Sequence, residues 1–155
     1  MRKKRNYKRE HKPDLKYNSV AIGRFINSLM WDGKKSVAEK VLYDAFDLVK
    51  EQTKEDPLVV FQRAFDNIAP LVEVSSKRVG GANYQVPREV RPDRKFLLAT
   101  RWLIGAARAK KGKDMSKRLA EEMILAGKNE GNAIKKKQDV HRMAEANRAF
   151  AHFSW

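Results

Sequence analysis

Only one stretch of this chain, Val72 to Arg91, abandons helical spacing for a period of two. Val72, Val74 and Ser76 alternate with Glu73, Ser75 and Lys77, and after Gly80-Gly81-Ala82-Asn83 the alternation resumes with Tyr84, Val86 and Val90. Two β-prone runs about a glycine pair predict a hairpin over about residues 72–90. Pro87 has no amide to give a ladder, so its strand is expected at an edge. A lone two-stranded ribbon is marginal in water. The rest of the chain therefore has to supply a body that holds it. Lys77 and Arg78, with Gly80, Gly81 and Tyr84, suit a polyanion: charges for phosphates, bare backbone for close approach, a ring for a base. An ordinary solvated hairpin with a basic tip would carry the same residues.

On both sides of the ribbon the spacing is helical. Ser19 is the expected N-cap of a helix carrying Ile22, Phe25, Ile26 and Leu29, closed by Asp32-Gly33. Ser36-Val37-Ala38-Glu39 reads as a capping box, opening a helix with Val41, Leu42, Ala45, Leu48 and Val49 on one face. Asp56-Pro57 is a cap followed by proline at the first helical position, and Phe61, Ala64, Phe65 and Ile68 continue to Pro70. After the hairpin, Arg91-Pro92-Asp93 opens a helix with Phe96, Leu97, Thr100, Leu103, Ile104 and Ala107 inward and Trp102 assigned to the core. Met115, Leu119, Ala120 and Met123 mark a shorter helix ended by Gly127. Asn132 is the expected cap of a last helix carrying Ile134, Val140, Met143, Ala144 and Phe150. The predicted fold class is mainly α. One domain over residues 19–155 holds about six helices and a protruding two-stranded β-ribbon, preceded by a basic arm over residues 1–18.

Charge then narrows the function. The chain has 34 Lys+Arg against 19 Asp+Glu, a formal net charge of +15. From Lys34 to Val72 six basic residues meet seven acidic ones, which leaves 28 and 12 for the remainder. Basicity that served only solubility would not leave one block near neutral. The pattern predicts a separate anion-facing side. Eight of the first eighteen residues are basic, against Glu10 and Asp14; such an arm is expected to be disordered alone and to order on nucleic acid. Arg108 to Lys113 forms a basic loop larger than a helix C-terminus requires. Lys135-Lys136-Lys137 opens the last helix, where lysine opposes the macrodipole and calls for an anion. Phe153 and Trp155 form an exposed aromatic tail suited to docking on a neighbour.

Other classes are disfavoured. There is no cysteine, and His11, His141 and His152 are too scattered for a ligand set, so no metal is expected. No phosphate loop, dinucleotide fingerprint or nucleophile elbow occurs, and no cofactor is expected. Glu121 and Glu122 are adjacent, so on a helix they diverge. A binding protein is favoured over an enzyme, including an RNA-modifying one. With no apolar leader and no run of membrane-spanning length, a soluble, unexported chain is expected. The rival binding class is a β-ribbon DNA-architectural protein. Its ribbons insert an apolar or proline wedge, whereas this tip is Gly-Gly-Ala-Asn and Pro87 lies far down the return strand.

Collinear motifs over the full length carry a resemblance. They are Met30-Trp31-Asp32-Gly33-Lys34-Lys35-Ser36, Val72-Glu73-Val74, Arg78-Val79-Gly80-Gly81, Tyr84-Gln85-Val86-Pro87, Val90-Arg91-Pro92, Asp139 to Asn147, Ala149-Phe150-Ala151-His152 and the terminal Trp155. The chain resembles the small-subunit ribosomal protein seven family in its short bacterial or organellar form. The resemblance implies a helical bundle with a β-ribbon arm, a structural role in the cytoplasmic or organellar ribosome, and ribosomal-RNA binding in translation. It further implies binding of the 3′ major domain of the small-subunit RNA, nucleation of head assembly, and a hairpin near exit-site tRNA and messenger RNA. Neighbouring proteins of the head and platform are the implied protein partners. The implied RNA-facing set is Arg2, Lys3, Lys4, Arg5, Lys8, Arg9 and Lys12 of the arm, Lys34 and Lys35, and Lys77, Arg78, Gly80, Gly81 and Tyr84 of the ribbon. It continues with Arg94, Lys95, Arg101, Arg108, Lys110, Lys111, Lys113, Lys135, Lys136, Lys137 and Arg142. Phe150, Phe153 and Trp155 are the expected protein-docking residues.

Overall fold

The computed structural model of the chain describes residues 10–153. Arg2 to Arg9 of the arm and Trp155 of the tail lie outside the described residues. In order the elements are α1 (Val20–Leu29), α2 (Lys35–Thr53), α3 (Pro57–Ile68), β1 (Val72–Val79), β2 (Ala82–Glu89), α4 (Pro92–Ala109), α5 (Met115–Gly127), α6 (Asn132–Ala146) and a terminal 3₁₀ helix (Arg148–Phe153). The chain divides within α2 into two compact units, one ending at Lys40 and one beginning at Val41.

In the first unit, α1 buries Ile22, Phe25, Ile26 and Leu29, the spacing expected of one helical stripe. Ser19 stands at its N-cap in extended conformation, as expected, although its side chain makes no capping bond. The Ser19 carbonyl instead accepts from the amides of Gly23 at 3.1 Å and Asp14 at 3.2 Å. Asp14 is buried, and its carboxylate accepts from the Lys16 and Tyr17 amides at 3.1 and 3.0 Å. A Cβ at Gly23 would lie 2.7 Å from the Lys12 carbonyl oxygen, so the chain ahead of Asp14 runs against α1 where no side chain intervenes. The capping box at Ser36 is corrected. α2 begins at Lys35, with the Ala38 amide already donating to the Lys34 carbonyl at 3.3 Å. Ser36 is therefore inside the helix, and Glu39 pairs with Lys35 at 3.7 Å.

In the second unit, an aromatic run ties three helices together. Phe46 of α2 meets Phe61 of α3 edge-on at 5.6 Å, Phe61 meets Phe65 at 4.5 Å, and Phe65 stacks on Phe96 of α4 at 5.2 Å. Asp56 caps α3 by accepting from the Leu58 amide at 2.9 Å, with Pro57 at the first position. α5 packs on α3 and α4. Asn67 of α3 donates to the Ala126 and Gly127 carbonyls at 2.9 and 3.2 Å, satisfying acceptors that the end of α5 would otherwise leave open. α4 buries Leu98 and Ala99 ahead of Thr100 and Leu103, whereas Leu97, expected inward, is exposed. Trp102 is half-buried. Met143 of α6, also expected inward, is exposed, and the helix buries only Ala133, Ile134 and Ala144.

The ribbon is antiparallel from Val72 opposite Glu89 to Val79 opposite Ala82. Its turn is Gly80-Gly81 alone, at φ 59° and 88°, the left-handed pair that a two-residue hairpin turn requires. One face carries Glu73, Ser75 and Lys77 opposite Arg88, Val86 and Tyr84, and this is the face that buries Glu73 and Val86. α6 packs on β1 and the 3₁₀ helix on β2.

Candidate nucleic-acid interface

Lys77 and Arg78 are adjacent on a strand, so they leave it on opposite faces. Lys77 shares its face with Tyr84, and its ammonium donates to the Phe153 carbonyl at 2.9 Å. Tyr84 packs against Phe150 at 5.2 Å and Phe153 at 5.5 Å. The aromatic tail, expected to be free for a neighbour, is thus half-buried against the ribbon as far as Phe153. The geometry of the described residues divides the expected tip cluster. Arg78, Gly80, Gly81 and Asn83 are exposed, while Lys77 and Tyr84 form the contact that braces the ribbon.

At the ribbon base, Glu73 accepts from Arg88 across the strands at 2.6 Å and from Arg94 of α4 at 3.2 Å. Burial pushes the Glu73 carboxyl up, but the hydrogen bonds and charges of Arg88 and Arg94 prevail and hold it below its ordinary value. Arg94 therefore serves an internal acid. Beside this base lies an open groove of about 650 Å³ whose walls include Pro87, Arg88, His141, Arg142 and Arg148. His141 accepts from the Leu71 amide through Nε2 at 3.2 Å. Burial, then the charge of Lys137, hold its imidazole below the usual histidine value, which suits a nitrogen used as an acceptor.

The α4–α5 loop is pinned from below. Arg118 of α5 donates to the Lys110 carbonyl. Lys110 Nζ lies 2.8 Å from Glu122 Oε2 and 3.9 Å from Glu121. Lys113 pairs with Glu121, and that hydrogen bond holds the Glu121 carboxyl below its ordinary value. Lys111 is exposed, as is Arg108. Glu121 and Glu122, expected to diverge, instead both reach the Lys110 ammonium, Glu121 from a part-exposed position and Glu122 at 0 % exposure.

The lysine triplet of α6 also divides. Lys135 and Lys136 are exposed. Lys137 donates to the Asn67 carbonyl at 2.6 Å, and burial holds its ammonium below the ordinary lysine value. The first turn of α6 draws an acceptor from another helix. Glu122 Oε1 accepts from the Ala133 amide at 2.9 Å, at the N-terminus of α6. Gly131, not Asn132, occupies the N-cap. The remaining expected residues are placed as follows: Lys95 is half-buried, and Arg101 and Arg142 are exposed. In the first unit, Lys12, Lys34 and Lys35 are exposed.

Arg88, Arg118 and Arg148 have no role in the sequence reading, and Glu122 enters it only as one of an adjacent acid pair. For Glu122 a signal was present, since Leu119, Glu122, Met123 and Ala126 recur at i, i+3, i+4 and i+7.

Exposed arginines and lysines set beside internally anchored ones on a helical body define a polyanion-binding class of protein. The family model for ribosomal protein S7p/S5e matches residues 1–148. Small ribosomal subunit protein uS7 of Thermotoga maritima is 56% identical over 155 residues, covering all of both chains. The protein of the same name from Treponema denticola is 59% identical over 92% of each chain, and that of Magnetococcus marinus 58% identical over 96% of this chain and 95% of its own. The chain belongs to the S7p/S5e family of ribosomal proteins, a family of RNA-binding structural proteins and not of enzymes. No helix among the described residues is long and apolar enough to cross a membrane.

Proposed function

We propose that this chain is a structural constituent of the small ribosomal subunit that binds the 3′ major domain of its RNA and nucleates assembly of the head. The observation that carries the reading is the full-length similarity to proteins of that subunit. The exposed cations support it. Arg101, Arg108, Lys111, Lys135, Lys136 and Arg142 lie on or beside α4, α5 and α6, and their partners in this reading are phosphates of folded RNA, recognised by shape. The basic residues of the arm thread between RNA segments. The glycine turn and Arg78 carry the ribbon towards exit-site tRNA and messenger RNA. Trp155 and the groove side of α6 face neighbouring proteins of the head and platform. The whole assembly works in the cytoplasmic ribosome.

The test is a competition at rising salt. Labelled 3′-major-domain RNA is bound to the protein, then challenged with duplex DNA and with scrambled RNA of equal length. About 6–10 phosphate contacts weaken binding roughly 10³–10⁵-fold between 50 and 200 mM salt. The cognate RNA is expected to hold at ~200 mM after both competitors are lost. Equal competition by duplex DNA at every salt concentration would leave only a generic polyanion grip.

A further inference from the structure

The N-terminus of α6 presents an unusual construction. Its N-cap is Gly131, at φ 95°, which has no side chain to accept from the first helical amides. Most helices fill that need with serine, threonine, aspartate or asparagine at the cap itself. Here the acceptor comes from another helix. Glu122, fully buried on α5, accepts from the Ala133 amide at 2.9 Å. A Cβ at position 131 would lie 2.8 Å from the same carboxylate oxygen, so the glycine is the room that the carboxylate occupies. The second oxygen, Oε2, lies 2.8 Å from Lys110 Nζ, at the C-cap of α4.

One side chain therefore joins two stretches that display cations. On one side is the loop after α4, with Lys111 and the exposed Lys113, which also pairs with Glu121. On the other is the first turn of α6, with Lys135 and Lys136. Its charge also suits both positions, facing the positive end of the α6 dipole and the Lys110 ammonium.

We infer that Glu122 is a positioning residue of the RNA interface: it fixes the loop at Lys111 and Lys113 relative to the α6 turn at Lys135 and Lys136, so that the two bind one RNA surface together. The inference rests on the proposed RNA-facing role of those lysines. Lys110 acts here as the internal counter-cation of Glu122, and the phosphate contacts fall to the lysines around it.

The experiment is a double-mutant cycle on the full chain, read as affinity for the 3′-major-domain RNA at fixed salt. Glu122→Gln keeps an oxygen acceptor for the Ala133 amide and removes the charge that holds Lys110. It is made in the native background and in one where Lys111, Lys113, Lys135 and Lys136 are all changed to Gln. Expected is a loss of about tenfold in the native background and little or no further loss once the four lysines are gone. An equal loss in both backgrounds overturns positioning, because it marks a general structural defect; so does no loss in the native background. If the four-lysine variant itself binds RNA normally, the reading of these lysines as RNA-facing falls, and the positioning role falls with it. Gly131→Ala provides a second variant should Glu122→Gln fail to fold. It keeps the carboxylate but crowds it away from the Ala133 amide, and the same dependence on the four lysines is expected.

Discussion

The ribbon base and the corner between α5 and α6 solve the same problem in opposite ways. Each holds a glutamate against cations. Glu73 meets two arginines whose side chains are about half exposed, and its own side chain keeps 12 % exposure. Glu122 keeps none, and it meets one lysine and one helix amide. Water still reaches the first cluster and moderates its charges. In the second, water reaches the Lys110 end alone. The difference teaches that the same pairing of acid and base is adjustable where solvent reaches it and unforgiving where it does not.

The largest expected effect breaks the buried side. Lys110→Met strands the Glu122 carboxylate and is expected to destabilise the chain by about 3–5 kcal/mol, measured by urea unfolding. A loss under about 1 kcal/mol would mean that the Lys110–Glu122 contact adds little to the fold. Glu73→Gln at the ribbon base is expected to cost about 1–3 kcal/mol, since two charged donors lose an ionised acceptor.

That substitution also carries a pH signature. The folded Glu73 carboxyl sits below its ordinary value of 4.5. Its contribution is therefore complete above that value and disappears as pH falls through the lower folded value. The melting temperature of the native chain is expected to fall more steeply on acidification below about pH 4.5 than that of Glu73→Gln. Parallel curves would remove Glu73 from the acid response. The smallest effect is at the tip. Tyr84→Leu should cost about 0.5–1.5 kcal/mol beyond lost area and should speed amide exchange at residues 76–85, leaving α3 and α5 unchanged. Uniform slowing or speeding across all helices would contradict a local brace.

Much of this was legible in the chain itself. The ribbon follows from its period of two, and its turn from a glycine pair that tolerates positive φ. Asp56-Pro57 opens α3 as its chemistry requires. What could not be read is phase and long-range pairing. Leu97 and Leu98 are equally apolar, and only packing decides that Leu98 turns inward. Ser36 to Glu39 has the spacing of a capping box, yet the turn at Gly33 lets the helix start ahead of it. The carboxylate that accepts from the Ala133 amide stands ten residues upstream of Asn132, on another helix, where local spacing gives no hint of the pairing. Likewise, nothing local to Phe150 and Phe153 announces that they fold back on Tyr84.

The bond from Lys77 to Phe153 spans 76 residues, and that span has a cost in time. A hairpin closes within about 1–10 μs, whereas synthesis adds roughly 5–20 residues per second. During translation the ribbon is complete roughly 3–13 s before its brace has been made. Throughout that interval Tyr84 has no aromatic cover, and a nascent chain must keep an open strand pair apart from its neighbours. Arg78, a charged side chain exposed on the ribbon, is of the kind that discourages edge-to-edge pairing in that interval.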